Sequence, residues 1–429
     1  MQEIRYEILE LMGQGTFGQV VQCRELSTNQ YVAIKIIKRH NAFTAQGEKE
    51  INILKMLNQA LNDDMNRYLQ LRDHFVFREH ICIVFELLSV SLHKVLRQSP
   101  QLSISDIKPI AFRLLETLDL LKSLHIVHTD LKPDNILLKS SDDLHDVKLI
   151  DYGSACIEHE MPLNYHIQTA FYRSPEVILR IPYDCSIDMW SFGCFVAEMF
   201  IGKPLFPSGN EAFLLYMMIA TLKSLPPDSM LKKGIKSTAF FHLKGTQSDV
   251  TRLREKFTHD FQSLDERVMG CESEETNEDR ICLLDFLKKI LVYEPDKRYT
   301  PQQALNHPFI TSSQPHSTSH IHTSLSTSPT TEESSEIKTP PIKILPSTKP
   351  LKSILKKKES MDLKGLVSPP QPQLENTLDS TIAFLYQPRP LIQPDPSLLQ
   401  KNHSHPTLMM YPSYYPQYQP NQSSRYFSP

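Results

Sequence analysis

The chain has 429 residues, 40% of them hydrophobic and 22% charged, with a formal net charge of -3. That length allows two or three domains, and the near-neutral balance gives no electrostatic case for broad nucleic-acid or membrane binding. The seven scattered cysteines (Cys23, Cys82, Cys156, Cys185, Cys194, Cys271, Cys282) form no C-x-x-C pair, which excludes an obvious zinc site or disulfide framework and points to the reducing cytosol or nucleus. The N-terminus carries no apolar signal core, and no apolar stretch approaches the ~20 residues of a membrane span. Many of the 31 prolines follow Thr311, which divides the chain into a foldable part near 1–310 and a tail.

The first strand reads from Tyr6 to Leu11 and leads into Gly13-Gln14-Gly15-Thr16-Phe17-Gly18-Gln19-Val20. Glycines there permit a tight turn whose N–H groups can approach phosphate oxygens. A G-x-G-x-x-G alone is a weak signal that also opens dinucleotide-binding helices. Here Val20 to Cys23 and Tyr31 to Ile37 are β-branched runs around a Ser-Thr-Asn turn, so a hairpin fits and a Rossmann unit does not. Lys35 lies inside the second run, where a lysine is costly to bury unless paired. Its candidate partner is Glu50, next to the helical face of Ile51, Leu54 and Leu57, with Glu48 as the alternative.

His80 to Leu88 is a buried strand. Ser103-x-x-Asp106 reads as a capping box before a helix through Leu124, with Ile107, Ile110, Leu114, Leu118 and Leu121 on one stripe. Then comes I-V-H-T-D-L-K-P-D-N, Ile126 to Asn135, which places Asp130, Lys132 and Asn135 within six residues. Two short apolar strands follow, and the second, Val147 to Ile150, ends on Asp151-Tyr152-Gly153. Phosphoryl transfer needs such a grouping. Asp130 can take the proton of an incoming hydroxyl, Lys132 can sit against the moving phosphoryl group, and Asn135 and Asp151 offer hard oxygens to Mg2+. A solvated turn is the bland alternative, and the whole string with its downstream D-Y-G argues against it.

Glu211 to Lys223 reads as a helix, and the chain is polar from Pro226 to about Asp279. Cys282 to Leu291 and Pro301 to Leu305 read as closing helices. The tail from Thr311 is expected not to fold alone. It holds four Ser-Pro or Thr-Pro sites (Ser328, Thr339, Ser368, Ser428) and five lysines between Lys349 and Lys358, a solvated charge run or an import or docking patch. His316, His320 and His322 read as low complexity rather than a metal site.

The stretch H-T-D-L-K-P-D-N with D-Y-G resembles the H-R-D-L-x-x-x-N and D-F-G signatures of protein kinases, with Thr129 for the Arg and Tyr152 for the Phe. I-Q-T-A-F-Y-R-S-P-E-V, S-I-D-M-W-S-F-G-C and G-Q-G-T-F-G-Q-V-V-Q-C further resemble the DYRK family, in the branch that also holds the cyclin-dependent, MAP and CLK kinases. They look closest to the fungal YAK-type and homeodomain-interacting members. The resemblance covers about residues 5–310. It implies an α+β, bilobal protein-kinase fold, with a small antiparallel sheet and one helix (1–88) over a larger helical lobe (89–310). It implies ATP and Mg2+ as cofactors, protein substrates, a monomeric catalytic domain, and a role in growth or stress signalling. The family's accessory box before the first strand is expected to be missing.

Carried over residue by residue, the resemblance makes Asp130 and Lys132 catalytic, and Asn135 and Asp151 metal ligands. It assigns to ATP the residues Met12, Gly13, Gln14, Gly15, Thr16, Phe17, Gly18, Gln19, Val20, Ala33, Lys35, Glu50, Phe85, Glu86 and Leu88. The Glu86 carbonyl and the Leu88 N–H would meet adenine, with Phe85 behind it. Glu176 would pair with Arg298, Asp188 would hold the catalytic loop, and Arg173 would shape a proline-tolerant pocket after the phosphoacceptor. Lys132 favours Ser/Thr substrates, with tyrosine autophosphorylation as an addition. The family's activating tyrosine position is His166 here, and its partner arginine is Ala170. The segment is therefore expected to be ordered without tyrosine phosphate, through Phe171, Tyr172 and hydrogen bonds from His166 or Gln168, with Tyr165 in a slipped loop as the alternative. The rival to an active kinase is a kinase-shaped scaffold without turnover, which would need a broken catalytic residue.

Overall fold

The computed structural model describes residues 5–15, 17–60, 67–160, 167–244, 247–249, 253 and 260–312. The readings of the tail beyond residue 312 lie outside the described residues.

Five antiparallel strands form the N-terminal sheet: β1 (Tyr6–Gln14), β2 (Gly18–Glu25), β3 (Tyr31–Ile37), β4 (Leu71–Phe77) and β5 (His80–Glu86), in the order β1-β2-β3-β5-β4. β1 runs three residues past its expected end, because Gly13 and Gln14 still pair with Val20 and Gln19. The sheet curls until its two edges meet. Tyr6 of β1 stacks on Phe75 of β4 at 5.6 Å, and Arg5 reaches Asp73 at 2.8 Å. Strand alternation divides the side chains between two faces. Val21, Cys23, Val32, Ile34, Ile36, Cys82 and Val84 are buried on one face. Val20, Ala33, Lys35, Ile83 and Phe85 share the other, by the registers Val20–Lys35, Lys35–Ile83 and Ala33–Phe85. Gly18 opens β2 because a Cβ there would lie 2.2 Å from the Ile36 carbonyl oxygen of β3. Helix α1 (Asn41–Ala60) covers this sheet with Ile51, Ile53, Leu54 and Leu57.

The chain then enters a helical region through α2 (Leu92–Gln98) and α3 (Ile104–Ser123). Ser103 caps α3 as expected, accepting from the Asp106 N–H at 3.1 Å, and the stripe from Ile107 to Leu121 is buried. Truncating one such leucine to alanine costs roughly 2–5 kcal/mol. After α3 come β6 (Ile126–Val127), the hairpin β7 (Ile136–Ser140) and β8 (Asp143–Leu149), β9 (Cys156–Ile157) and the short α4 (Pro175–Leu179). Helix α5 (Ser186–Ile201) is apolar nearly all round and therefore sits at the centre of the core. α6 (Glu211–Leu222) starts as expected and ends one residue before the expected Lys223, which takes a left-handed conformation as its C-cap. The helix expected from Cys282 begins earlier, at Asn277, because Thr276 caps it through the Asp279 N–H. Among the described residues no helix is long and apolar enough to cross a membrane.

Candidate active site

The glycine loop joins β1 to β2. Gly15 N–H donates to the Gly18 carbonyl at 2.9 Å, and Lys38 Nζ donates to the Gly15 carbonyl at 3.0 Å. Phe17 at the tip meets Phe43 of α1 edge-on, at 5.7 Å. Met12 is 43% exposed at the end of β1, Val20 and Ala33 are half-buried, and Thr16 lies outside the described residues.

Below the loop, Lys35 Nζ donates to both oxygens of Glu50, at 2.7 and 2.8 Å, and to Asp151 Oδ1 at 2.8 Å. Glu50 is buried on the inner face of α1 while Glu48 faces solvent, so the structure gives the lysine to Glu50. Burial works against the charge on Lys35, but its two carboxylate partners hold its pKa above the ordinary lysine value. Burial likewise raises the Asp151 carboxyl, yet the Lys35 ammonium brings it below the usual range. Asp151 itself takes a left-handed conformation, φ 65° and ψ 71°. Gly153 leaves room for this cluster. A Cβ there would come within 3.1 Å of Asp151 Oδ1, 3.2 Å of Lys35 Nζ and 3.3 Å of Glu50 Oε2. Gln46 of α1 donates to the Gly153 carbonyl and ties the helix to the same turn.

The catalytic-loop candidate is held from beneath. Asp188 of α5, 3% exposed, accepts from the backbone N–H groups of His128 (2.7 Å) and Thr129 (3.0 Å). Burial pushes its carboxyl up, against the pull of His128 and those two N–H groups. Thr129 is left-handed, φ 68°, and its hydroxyl donates to the Ser154 carbonyl at 2.9 Å, so a threonine fills the buried position after His128. Tyr152 packs edge-on against His128 at 5.1 Å.

Asp130 emerges from this platform. Lys132 Nζ donates to its Oδ2 at 2.8 Å, and Asn135 Nδ2 donates to its backbone carbonyl at 2.8 Å and to Oδ2 at 3.2 Å. The Thr169 hydroxyl donates to Asp130 Oδ1 at 2.7 Å and accepts from Lys132 at 3.1 Å. Thr169 was not singled out from the sequence. Its signal there is only a hydroxyl inside the I-Q-T-A-F-Y-R stretch. With the Asn135 amide nitrogen turned to Asp130, its side-chain oxygen is left as a hard donor.

Tyr165 and His166 lie outside the described residues, but the segment after them is tightly held. Gln168, left-handed at φ 61°, donates to the Ile187 carbonyl (3.0 Å) and Ser191 Oγ (2.9 Å) and accepts from the Ser174 N–H (2.9 Å). Arg173 Nη2 takes the Gln168 carbonyl at 3.0 Å and also reaches Glu211. The Tyr172 hydroxyl donates to Glu198 Oε2 at 2.6 Å. Glu176 and Arg298, both fully buried, form a two-pronged pair at 2.8 and 3.1 Å over Trp190. Removing either partner of such a pair costs roughly 3–5 kcal/mol.

At the crossing between the sheet and the helical region, Phe85 and Leu88 are buried. The Glu86 side chain turns inward. Its Oε1 accepts from Lys148 Nζ of β8 at 2.6 Å and from the Gln70 N–H at 3.1 Å. Lys148 escaped the sequence reading, because one lysine between apolar strand residues reads as pointing to water.

A protein-kinase domain and this constellation coincide in sequence as well. The family model for the protein kinase domain matches residues 6–310, and the chain belongs to that family. Within it the chain is similar to the serine/threonine-protein kinase ppk15 of Schizosaccharomyces pombe, 41% identical over 72% of this chain and 62% of that protein. The dual specificity protein kinase YAK1 homolog of Arabidopsis thaliana is 39% identical, over 72% of this chain and 36% of its own length. The human dual specificity tyrosine-phosphorylation-regulated kinase 4 is 40% identical, over 71% of this chain and 57% of its own length. The expected family and the two-lobed α+β fold are thus borne out. The chain spans about three fifths or less of these relatives.

Proposed function

We propose that this chain transfers the terminal phosphoryl group of ATP to serine and threonine hydroxyls of protein substrates. One observation carries the reading. Asp130 already accepts a hydroxyl proton donor, Thr169 Oγ1, while Lys132 bridges the two. A substrate hydroxyl in the same relation to Asp130 meets a general base and an adjacent cation. Lys35, fixed by Glu50, is the cation placed for the non-transferred phosphates.

The side-chain oxygens of Asp151 and Asn135 would hold Mg2+, which would supply charge neutralisation on the phosphates when bound. The donor set fits that ion. Among the described residues no cluster of three or more His, Cys, Asp or Glu side chains converges on a metal-sized site. Mg2+ commonly completes its shell with phosphate oxygens and water, so one carboxylate and one amide suffice.

The Gln168 carbonyl accepts from Arg173 Nη2 at 3.0 Å and so would not be free for the backbone of an incoming peptide. A backbone N–H after the acceptor residue then finds no partner there, and proline, which has no N–H, loses nothing. The reading therefore includes a preference for proline directly after the phosphorylated residue. A catalytic domain acting as a monomer in the cytoplasm or nucleus is part of the same proposal; that none of the seven cysteines is in a disulfide supports the reducing compartment.

The test is phosphate transfer from radiolabelled ATP and Mg2+ to a peptide library. Ser/Thr-Pro peptides should dominate, and Arg173→Ala should flatten the proline preference. No ATP consumption with either Mg2+ or Mn2+ overturns the proposal in favour of an inactive scaffold.

A further inference from the structure

Lys148 is a lysine with a fully buried side chain, in the strand that leads to Asp151. Burial pushes its pKa down against the opposing pull of Glu86. Keeping a cation in such a place is costly, and the pair gains little stability over an apolar substitute. Its position shows what it does instead. The chain crossing from the sheet to the helical region is fastened at two points, and both lie on the β7–β8 hairpin. Before the crossing, Glu86 is tied to Lys148 of β8. After it, Ser89 N–H donates to the Leu138 carbonyl of β7 at 2.8 Å, and Leu138 N–H donates to the Val90 carbonyl at 2.9 Å.

The hairpin is the rigid partner in this arrangement. Leu137 pairs with Lys148, Ile136 with Leu149, and Ile150 N–H donates to the Asn135 carbonyl at 2.8 Å. Glu86 also accepts from the Gln70 N–H at the entry to β4, so one carboxylate ties β8 to two segments of the sheet region. Glu86 to Leu88 thus spans two anchors on a common template. Within that span lie the carbonyl and N–H assigned to adenine.

We propose that Lys148 is a positioning residue for nucleotide binding, acting through Glu86 to hold the 86–88 backbone in the geometry that the adenine ring reads. The inference rests on the ATP reading above. It predicts an effect confined to the nucleotide, because Asp130, Lys132 and Thr169 make none of these contacts. A preorganised edge binds without first being ordered, and releasing it weakens affinity.

The experiment compares the full-length wild type, Lys148→Met, and the double variant Lys148→Met/Glu86→Gln. The single variant leaves a buried carboxylate unpaired and should melt lower. The double variant removes that charge and keeps an acceptor for Gln70, so its melting temperature should return close to wild type. Its KM for ATP, and its Kd for ADP by calorimetry, should nevertheless rise roughly tenfold, with kcat and the KM for peptide within about twofold. A double variant that regains wild-type ATP affinity along with its stability shows the pair to be structural only and overturns the inference. Absence of nucleotide binding by the wild type overturns the ATP reading itself, and this inference with it.

Discussion

The Tyr172 hydroxyl donates to Glu198 at 2.6 Å, joining the segment that follows Gln168 to the far half of the buried helix α5. Burial pushes the Glu198 carboxyl up to about 7, against the smaller opposing pull of that hydrogen bond. The folded form therefore holds this proton over a pH range in which the unfolded chain, with an ordinary carboxyl near 4.5, has released it. Stability from this group is complete at acid pH and is lost as pH rises from about 4.5 through 7. The loss is on the order of 3 kcal/mol. Glu198→Gln should flatten the stability profile across that window and raise the melting temperature above pH 7. A variant that keeps the wild-type slope would refute the assignment.

Asp130→Ala should lower kcat by at least ~100-fold, because no neighbouring group can take over as base in that position. The loop beneath is held by Asp188 through the backbone of His128 and Thr129, so the melting temperature should move by only a few degrees. Circular dichroism melts and single-turnover assays on the same preparation separate the two effects.

Gln168→Leu should cost at least ~10-fold in turnover while Tyr165→Phe stays near wild type. Leucine strands the Ser174 N–H and one Ser191 contact in the core, and buried polar groups without partners cost about 1–3 kcal/mol each. Mass spectrometry of active recombinant protein should find little phosphate on Tyr165. Stoichiometric phosphate there, with activity lost in Tyr165→Phe, would restore control by tyrosine phosphorylation.

A protein truncated after residue 312 should melt with the full chain and keep its turnover. The described helices end with Pro308–Thr311, where Phe309 and Ile310 are buried and Lys108 reaches Ser312 at 3.2 Å. A large fall in melting temperature would assign the tail a docking role.

Local patterns made part of this site legible. V-A-I-K placed a lysine inside a strand, helical spacing favoured Glu50 over Glu48, and H-T-D-L-K-P-D-N with D-Y-G gathered the polar groups. Contacts between distant segments left weaker traces. Glu86 and Lys148 lie 62 positions apart, and each sits in an apolar strand where a single charge reads as solvent-facing. Thr169 reaches Asp130 across 39 positions and looks like any hydroxyl in a loop. Glu198 sits in a helix so apolar that one acid reads as an exception rather than as the partner of Tyr172. Boundaries failed for local reasons. Gly13 and Gln14 looked like a turn but pair as strand, and the Thr276 cap pulls a helix start back from Cys282 to Asn277.

Helix α5 works as a common datum. Asp188 near its start sets the height of the catalytic loop, Ile187 and Ser191 seat Gln168, and Glu198 receives Tyr172. From Asp188 to Glu198 is ten residues, about 15 Å of one stiff rod. On the proposed reading, the base at Asp130 and the ledge that would receive a substrate are both measured from that rod, so their separation is fixed when the core forms. Preference among substrates must then be written by side chains at the rim, such as Arg173 and Glu211, because the spacing beneath them is not free to vary.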